Sequence, residues 1–228
     1  MRVSSEFSKN ASHYDSHNSI QNKVIDKLLE LTKSEPKYIL DLGCGNGALC
    51  EKVDWKYKHF VGVDFAPGML ELHPKSKKIE SIYGDFNDIT LFENLSTYSF
   101  DYIFSASALQ WADDLAKVFK SIARLNAPIS LAIFSSKTFH TLNKTADLEP
   151  LLMDKKEIDR LQKHYFKAKF EVVEYKLEFD NVREMFKYIK KSGVSGSRNI
   201  LSFKQTKELM QKYPLNYLEF EVVFITSR

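Results

Sequence analysis

The chain has 228 residues, 43% of them hydrophobic, with 17 phenylalanines and a formal net charge of only +3. That is ample for one packed domain and excludes intrinsic disorder, while the small net charge gives no argument for a nucleic-acid partner. Two cysteines, Cys44 and Cys50, exclude a disulfide framework. No Cys/His cluster has zinc-ligand spacing, and no apolar run approaches the ~18 residues of a membrane helix. The polar N-terminus does not read as a signal peptide. The expectation is a cytoplasmic monomer without a metal, a membrane span or a nucleic-acid partner.

Residues 1–18 are polar with isolated aromatics and read as an arm or short helix. Ile20, Val24, Leu28 and Leu31 then recur at helical spacing, and Pro36 stops that helix. Strands are expected at 37–43, 59–64, 81–85, 100–105 and 129–135, alternating with helices at 48–55, 67–73, 88–96 and 112–124. Such alternation predicts βαβ units and a parallel sheet, because a parallel return requires a crossover. After about residue 150 the rhythm changes. A charged amphipathic helix at 154–166 precedes a strand at 169–179, helices at 181–191 and 203–212, and a last alternating strand at 217–227.

The sharpest motif is Asp41-Leu42-Gly43-Cys44-Gly45-Asn46-Gly47 at the end of the first strand. Glycines there let the chain turn tightly and bring backbone N–H groups against a ligand, with the positive end of a helix beyond. Gly43, Gly45 and Ala48 also satisfy the dinucleotide spacing G-x-G-x-x-G/A, so the loop alone leaves an NAD enzyme open. Asp64 ends the second strand and can accept ribose hydroxyls, which NAD requires equally. The third strand ends in Asp85 and Phe86, an acid and a ring suited to an adenine amine and face. Asp41 can hold a ligand ammonium group by charge-assisted hydrogen bonds. S-adenosylmethionine has an ammonium group and NAD has none. The bland readings are a tight turn for the glycines, a helix cap for an isolated Asp, and a small buried hydrophobe for Cys44.

These residues carry a resemblance. DLGCGNG is similar to the first motif of class I S-adenosylmethionine-dependent methyltransferases, and the strand ends GVD and GDF resemble the second and third. The resemblance implies a doubly wound, mostly parallel seven-stranded α/β sheet with the last strand antiparallel. It implies a cofactor set of Asp41, Gly43, Cys44, Gly45, Asn46, Gly47, Asp64, Phe65, Met69, Asp85, Phe86 and Ser105. One departure is ARLNAPISLA, where many members carry a Gly-Gly pair before the fifth strand. The implied division is an arm or lid at 1–35, a cofactor half at 36–136 and a substrate side at 137–228, all in one domain.

FSKNASHYDSHNSIQ, SASALQWADDL and the segment FKYIKKSGVSGSRNILSFKQTKELMQKYPLNY resemble the malonyl-acyl-carrier-protein O-methyltransferases of biotin synthesis. The resemblance implies methylation of the free malonyl carboxylate. A carboxylate is already ionised at neutral pH, its reference pKa being about 4, so it needs no general base. Arg198 is the candidate grip on that carboxylate, and reads equally as a solvated surface arginine. Tyr14 is the candidate catalytic residue, closing over the cofactor, or else a packing tyrosine on the arm. Gln110 and Trp111 follow the fourth strand, where the substrate crevice of an open α/β sheet lies, though Trp111 also suits a core. Lys155, Lys156, Arg160, Lys163, Lys167 and Lys169, with Lys187, Lys190 and Lys191, form either a docking face for an acidic carrier protein or an ordinary solvated face. Competing functions are a methyltransferase for another small acid or amine, a non-catalytic cofactor-binding module, an NAD oxidoreductase, and a nucleic-acid methyltransferase. The last is disfavoured because no Asn/Asp-Pro-Pro-aromatic segment follows the fourth strand.

Overall fold

The computed structural model describes residues 19–191 and 203–227. Seven strands form one sheet: β1 Tyr38–Leu42, β2 His59–Asp64, β3 Ile79–Tyr83, β4 Tyr102–Ala106, β5 Ile129–Phe134, β6 Lys169–Glu178 and β7 Tyr217–Thr226. Their order is β3-β2-β1-β4-β5-β7-β6. The β1–β2, β1–β4, β2–β3 and β4–β5 pairings are parallel, and β7 runs antiparallel to both neighbours. The order reverses between β1 and β4, which is the switch point where ligands enter open α/β sheets.

Helices cover both faces: α1 Ser19–Leu31, α2 Ala48–Lys52, α3 Pro67–Leu72, α4 Ile89–Leu95, α5 Leu115–Arg124, α6 His140–Thr145, α7 Lys155–Tyr165, α8 Val182–Lys191 and α9 Phe203–Lys212. On one face Leu40, Leu42, Val61, Ile103 and Leu131 pack against α4, α5 and α7. On the other, Ile39, Phe60, Phe104 and Phe220 pack against α1, α2 and α8. Strands covered on both faces lose the alternating pattern, which is why β1 and β5 read as continuous apolar runs. Among the described residues no helix is long and apolar enough to cross a membrane.

Several boundaries differ from expectation. The third strand begins at Ile79, because the ladder with β2 opens where Phe60 N–H donates to Lys78 O at 2.8 Å. The helix expected over 48–55 stops at Lys52. Val53 is extended, and Trp55 Nε1 donates to Pro36 O at 2.9 Å, drawing the chain back toward β1. With five residues it lends the glycine loop little dipole. The helix expected over 112–124 begins at Leu115, capped by Asp114, whose carboxylate accepts the Lys117 N–H. A 3₁₀ turn at Leu109–Trp111 and α6 were not foreseen.

Candidate functional site

The glycine loop is fastened to the end of β2. Gly43 and Cys44 both donate their N–H to Val63 O, at 2.8 and 3.0 Å. Gly43, Gly45 and Gly47 have φ of +75°, +55° and +90°, a region that L side chains adopt only with strain. Space matters as much as φ at Gly43: a Cβ there would stand 2.2 Å from Ala108 Cβ and 3.8 Å from Phe86 Cε1. The loop after β1 is therefore in contact with the segments that follow β3 and β4.

Asp64, almost fully buried, serves this loop directly. Its Oδ2 accepts Gly45 N–H at 2.9 Å and its Oδ1 accepts Ala66 N–H at 2.8 Å. Burial raises its pKa against those hydrogen bonds, which lower it. The Phe65 backbone also hydrogen-bonds this carboxylate, which leaves one of its four lone-pair sites for a ligand hydroxyl. Asp41 is 1% exposed, and its Oδ1 is buried with no hydrogen-bond partner. Burial first, and then the Asp64 charge, push its pKa up to about 8. A buried carboxylate oxygen lacking a donor is costly, and a cationic ligand group supplies what it lacks.

Asp85 is exposed, and its Oδ1 accepts both the N–H and the Nδ2 of Asn87 at 2.9 Å. Asn87 Oδ1 in turn accepts Asp113 N–H at 2.9 Å, tying the loop after β3 to the loop before α5. Phe86, expected as a stacking surface, is 8% exposed and packs in the core with Leu91 and Leu109. Phe65, after β2, is half-buried. Met69 and Ser105 also face inward. Ser105 is fully buried and its Oγ donates to Leu42 O at 2.6 Å, joining β4 to β1. Cys44 is buried, its thiol pKa driven well up by that burial, so it is no nucleophile. Half-buried Asn46 completes the loop.

Gln110 and Trp111, both half-buried, lie on the 3₁₀ turn beyond β4. Tyr14 and Arg198 lie outside the described residues. The lysine face needs correction: Lys155 Nζ lies 2.7 Å from Oε2 of buried Glu221, Arg160 pairs with Glu157, Lys163 with Asp159, and Lys187 with Glu184. Lys156, Lys167 and Lys169 remain as exposed cations on that side.

Three features were missed. Ser107, at φ +61° with a buried and unpartnered Oγ, begins the turn carrying Gln110. His73 is 2% exposed. Its Nδ1 lies 3.1 Å from Pro74 O, while its unpartnered Nε2 would stand 2.8 Å from a Cβ built on Gly62. The third is the Ser135–Glu221–Lys155 chain, in which Ser135 Oγ donates to Glu221 Oε1 at 2.6 Å. Only Glu221 left a trace in the sequence, as the polar position in an alternating strand.

The fold, a seven-stranded, mostly parallel α/β sheet with one antiparallel strand, is that of the class I methyltransferases. Residues 40–134 match the family model described as a methyltransferase domain. A malonyl-[acyl-carrier protein] O-methyltransferase of Serratia marcescens is 29% identical over 64% of this chain; the chain spans about half of that relative's length, 56%. A protein of the same name from Acetivibrio thermocellus is 27% identical, with 97% of this chain and 91% of that protein aligned. Among solved structures, the YcgJ protein of Bacillus subtilis superposes with a TM-score of 0.63 at 13% identity, over 90% of this chain and 98% of that one. Phosphoethanolamine N-methyltransferase 2 of Haemonchus contortus, solved with S-adenosyl-L-methionine, gives 0.59 at 15% identity, over 97% and 57%. At such identities these two structures speak for the fold alone.

Proposed function

We propose that the protein methylates the free carboxylate of malonyl-acyl-carrier protein, with S-adenosylmethionine as donor, giving the malonyl methyl ester that opens biotin synthesis. One observation carries the reading. The alignment to the Acetivibrio malonyl-[acyl-carrier protein] O-methyltransferase runs over 97% of the chain, well past the 40–134 domain and through the substrate side. The site's chemistry agrees with the cofactor, since a positive ammonium group satisfies Asp41 and a ribose hydroxyl suits the acceptor site left on Asp64.

When bound, S-adenosylmethionine supplies a sulfonium methyl group, whose carbon–sulfur bond breaks as the malonyl oxygen–carbon bond forms and whose bonding electrons stay on sulfur. The protein's task is to bind, orient and exclude water. Asp41 holds the cofactor's ammonium group by charge-assisted hydrogen bonds. Asp64 keeps the glycine loop closed against the cofactor. Gln110 and Trp111 form the wall of the acceptor crevice beyond β4, and Arg198 and Tyr14 remain the candidates for gripping the carboxylate and covering the site. The nucleophile is negative and the acceptor centre positive, so partial burial strengthens their approach. A carboxylate brings no proton to remove, so the reaction asks for no base.

The carrier is acidic, and Lys156, Lys167 and Lys169, exposed and in no ion pair among the described residues, provide charge for its approach. The reading further takes the protein as a cytoplasmic monomer. Mass spectrometry of purified protein with S-adenosylmethionine and malonyl-acyl-carrier protein tests the function, with malonyl-coenzyme A and free malonate as competing acceptors. Methyl ester on the carrier-bound malonyl group is expected. Transfer to none of the three, with cofactor binding intact, discards this acceptor and leaves another small acid or amine.

A further inference from the structure

The turn after β4 is built more tightly than a connector requires. Ser107 N–H donates to Ala132 O at 2.9 Å, and Ala108 abuts Gly43 of the cofactor loop. Leu109 is 1% exposed and anchors the turn in the core, and Trp111 N–H donates to Ala108 O at 3.1 Å. Gln110 Nε2 donates to Ser107 O at 2.6 Å. That bond fixes the orientation of the carboxamide, because only its nitrogen can face a carbonyl. Its Oε1 is consequently presented as an acceptor, buried and without a partner, and the Ser107 hydroxyl is likewise buried and unpartnered. Ser107 holds this position at φ +61°, where a serine is strained and a glycine would not be. Strained backbone beside buried, unsatisfied polar atoms marks a place prepared for a ligand.

The chemistry of the pair selects the group. Gln110 Oε1 can only accept, so it repels a carboxylate and requires an N–H or O–H donor. A cationic donor is drawn to the Asp41 carboxylate, whose negative charge outcompetes a neutral amide oxygen. A neutral donor remains for the neutral pair. In a malonyl thioester on a carrier or coenzyme A arm, the first such donor is the amide N–H two carbons beyond the sulfur.

We infer that Ser107 and Gln110 form a notch that reads the amide N–H of the acceptor's thioester arm, making Ser107 a specificity-determining residue for that arm. The inference rests on the malonyl-thioester reading of the function. The notch then sets the direction of the acceptor: amide end against β4, carboxylate end away from Gln110.

Two small acceptors test it: malonyl-N-acetylcysteamine, which has the amide, and malonyl 4-oxopentyl thioester, in which CH2 replaces that N–H. The wild type should favour the amide thioester by roughly 10-fold in kcat/KM, about the worth of one such hydrogen bond. In Ser107→Gly and Gln110→Leu that ratio should fall to near one, while calorimetric affinity for S-adenosylmethionine stays within about twofold. Ser107→Gly relieves the φ strain, so its melting temperature should hold or rise, and lost discrimination then cannot be lost folding. Three results overturn the notch: a wild type that treats both thioesters alike, variants that keep the ratio, or variants that weaken S-adenosylmethionine binding instead. Failure of the wild type to methylate either malonyl thioester is a separate result, and removes the substrate reading together with the notch.

Discussion

Oδ2 of Asp64 accepts the amide N–H of Gly45 at 2.9 Å. The acid that ends β2 is thus a clasp on the glycine loop, beside its proposed role toward the cofactor. Its other oxygen, on Ala66 N–H, fixes the carboxylate plane, so the loop and the start of α3 are ordered by one side chain. Asp64→Ala removes the clasp and the proposed ligand contact together. Hydrogen bonds to charged groups contribute ~1.5–3 kcal/mol, so cofactor affinity should fall at least about tenfold by calorimetry. The amides of residues 43–47 should also exchange faster with solvent. Unchanged affinity would remove Asp64 from the site.

Gly43 and Ala108 make a second prediction. A methyl group at Gly43 would lie 2.2 Å from Ala108 Cβ, so Gly43→Ala should destabilise the fold by ~1–3 kcal/mol through overpacking, with further strain from φ +75°. Ala108→Gly in the same chain opens the space but leaves the strained φ. The double variant should therefore recover part of the stability and not all of it. Full additivity of the two changes in a denaturant-melt cycle would show that the contact is not made.

Asp41 gives a pH dependence with a defined sign. Its pKa is pushed from the ordinary 3.8 to about 8, so the folded protein without ligand binds a proton there more tightly than the unfolded chain does. Its stabilising contribution is complete below about 3.8 and is lost as pH rises through about 8. Relative to Asp41→Asn, the unliganded wild type should lose melting temperature across that window. A cationic ligand favours the ionised form, so cofactor binding should release a proton and weaken as pH falls below about 8, by up to tenfold per unit. Calorimetry from pH 6 to 9 would show this, and a flat profile would mean that the ammonium group is held elsewhere.

The sequence showed the strands that bury both faces, the glycine loop and the acids at successive strand ends, because each leaves a local signature in residue type and spacing. What it hid was long-range. Phe86 looked like an open ring beside an acid, but it is buried in the core cluster that also holds Leu109, and only the folded chain brings the two into one cluster. Ser107 resembles any serine in a loop until its φ and its pinned neighbour Gln110 are known. Lys155 lay in a run of lysines, and nothing local marks one of them as the partner of an acid 66 residues further on.

That partnership is itself testable. Glu221 is 1% exposed on β7, Lys155 Nζ lies 2.7 Å from its Oε2, and Ser135 Oγ takes its other oxygen. Removing one member of a buried pair strands the other's charge, which costs ~3–5 kcal/mol when both are fully buried. The Lys155 side chain keeps 29% of its exposure, so water softens the loss, and Lys155→Met should cost about 2 kcal/mol. Adding Glu221→Gln removes the stranded charge and should restore most of that stability. The same pair of variants separates structure from docking. If Lys155 serves β7, Lys155→Met/Glu221→Gln should leave the salt dependence of KM for the carrier substrate as it was, whereas Lys156→Glu should raise KM most at low ionic strength. A lost salt dependence in the double variant would return Lys155 to the docking face.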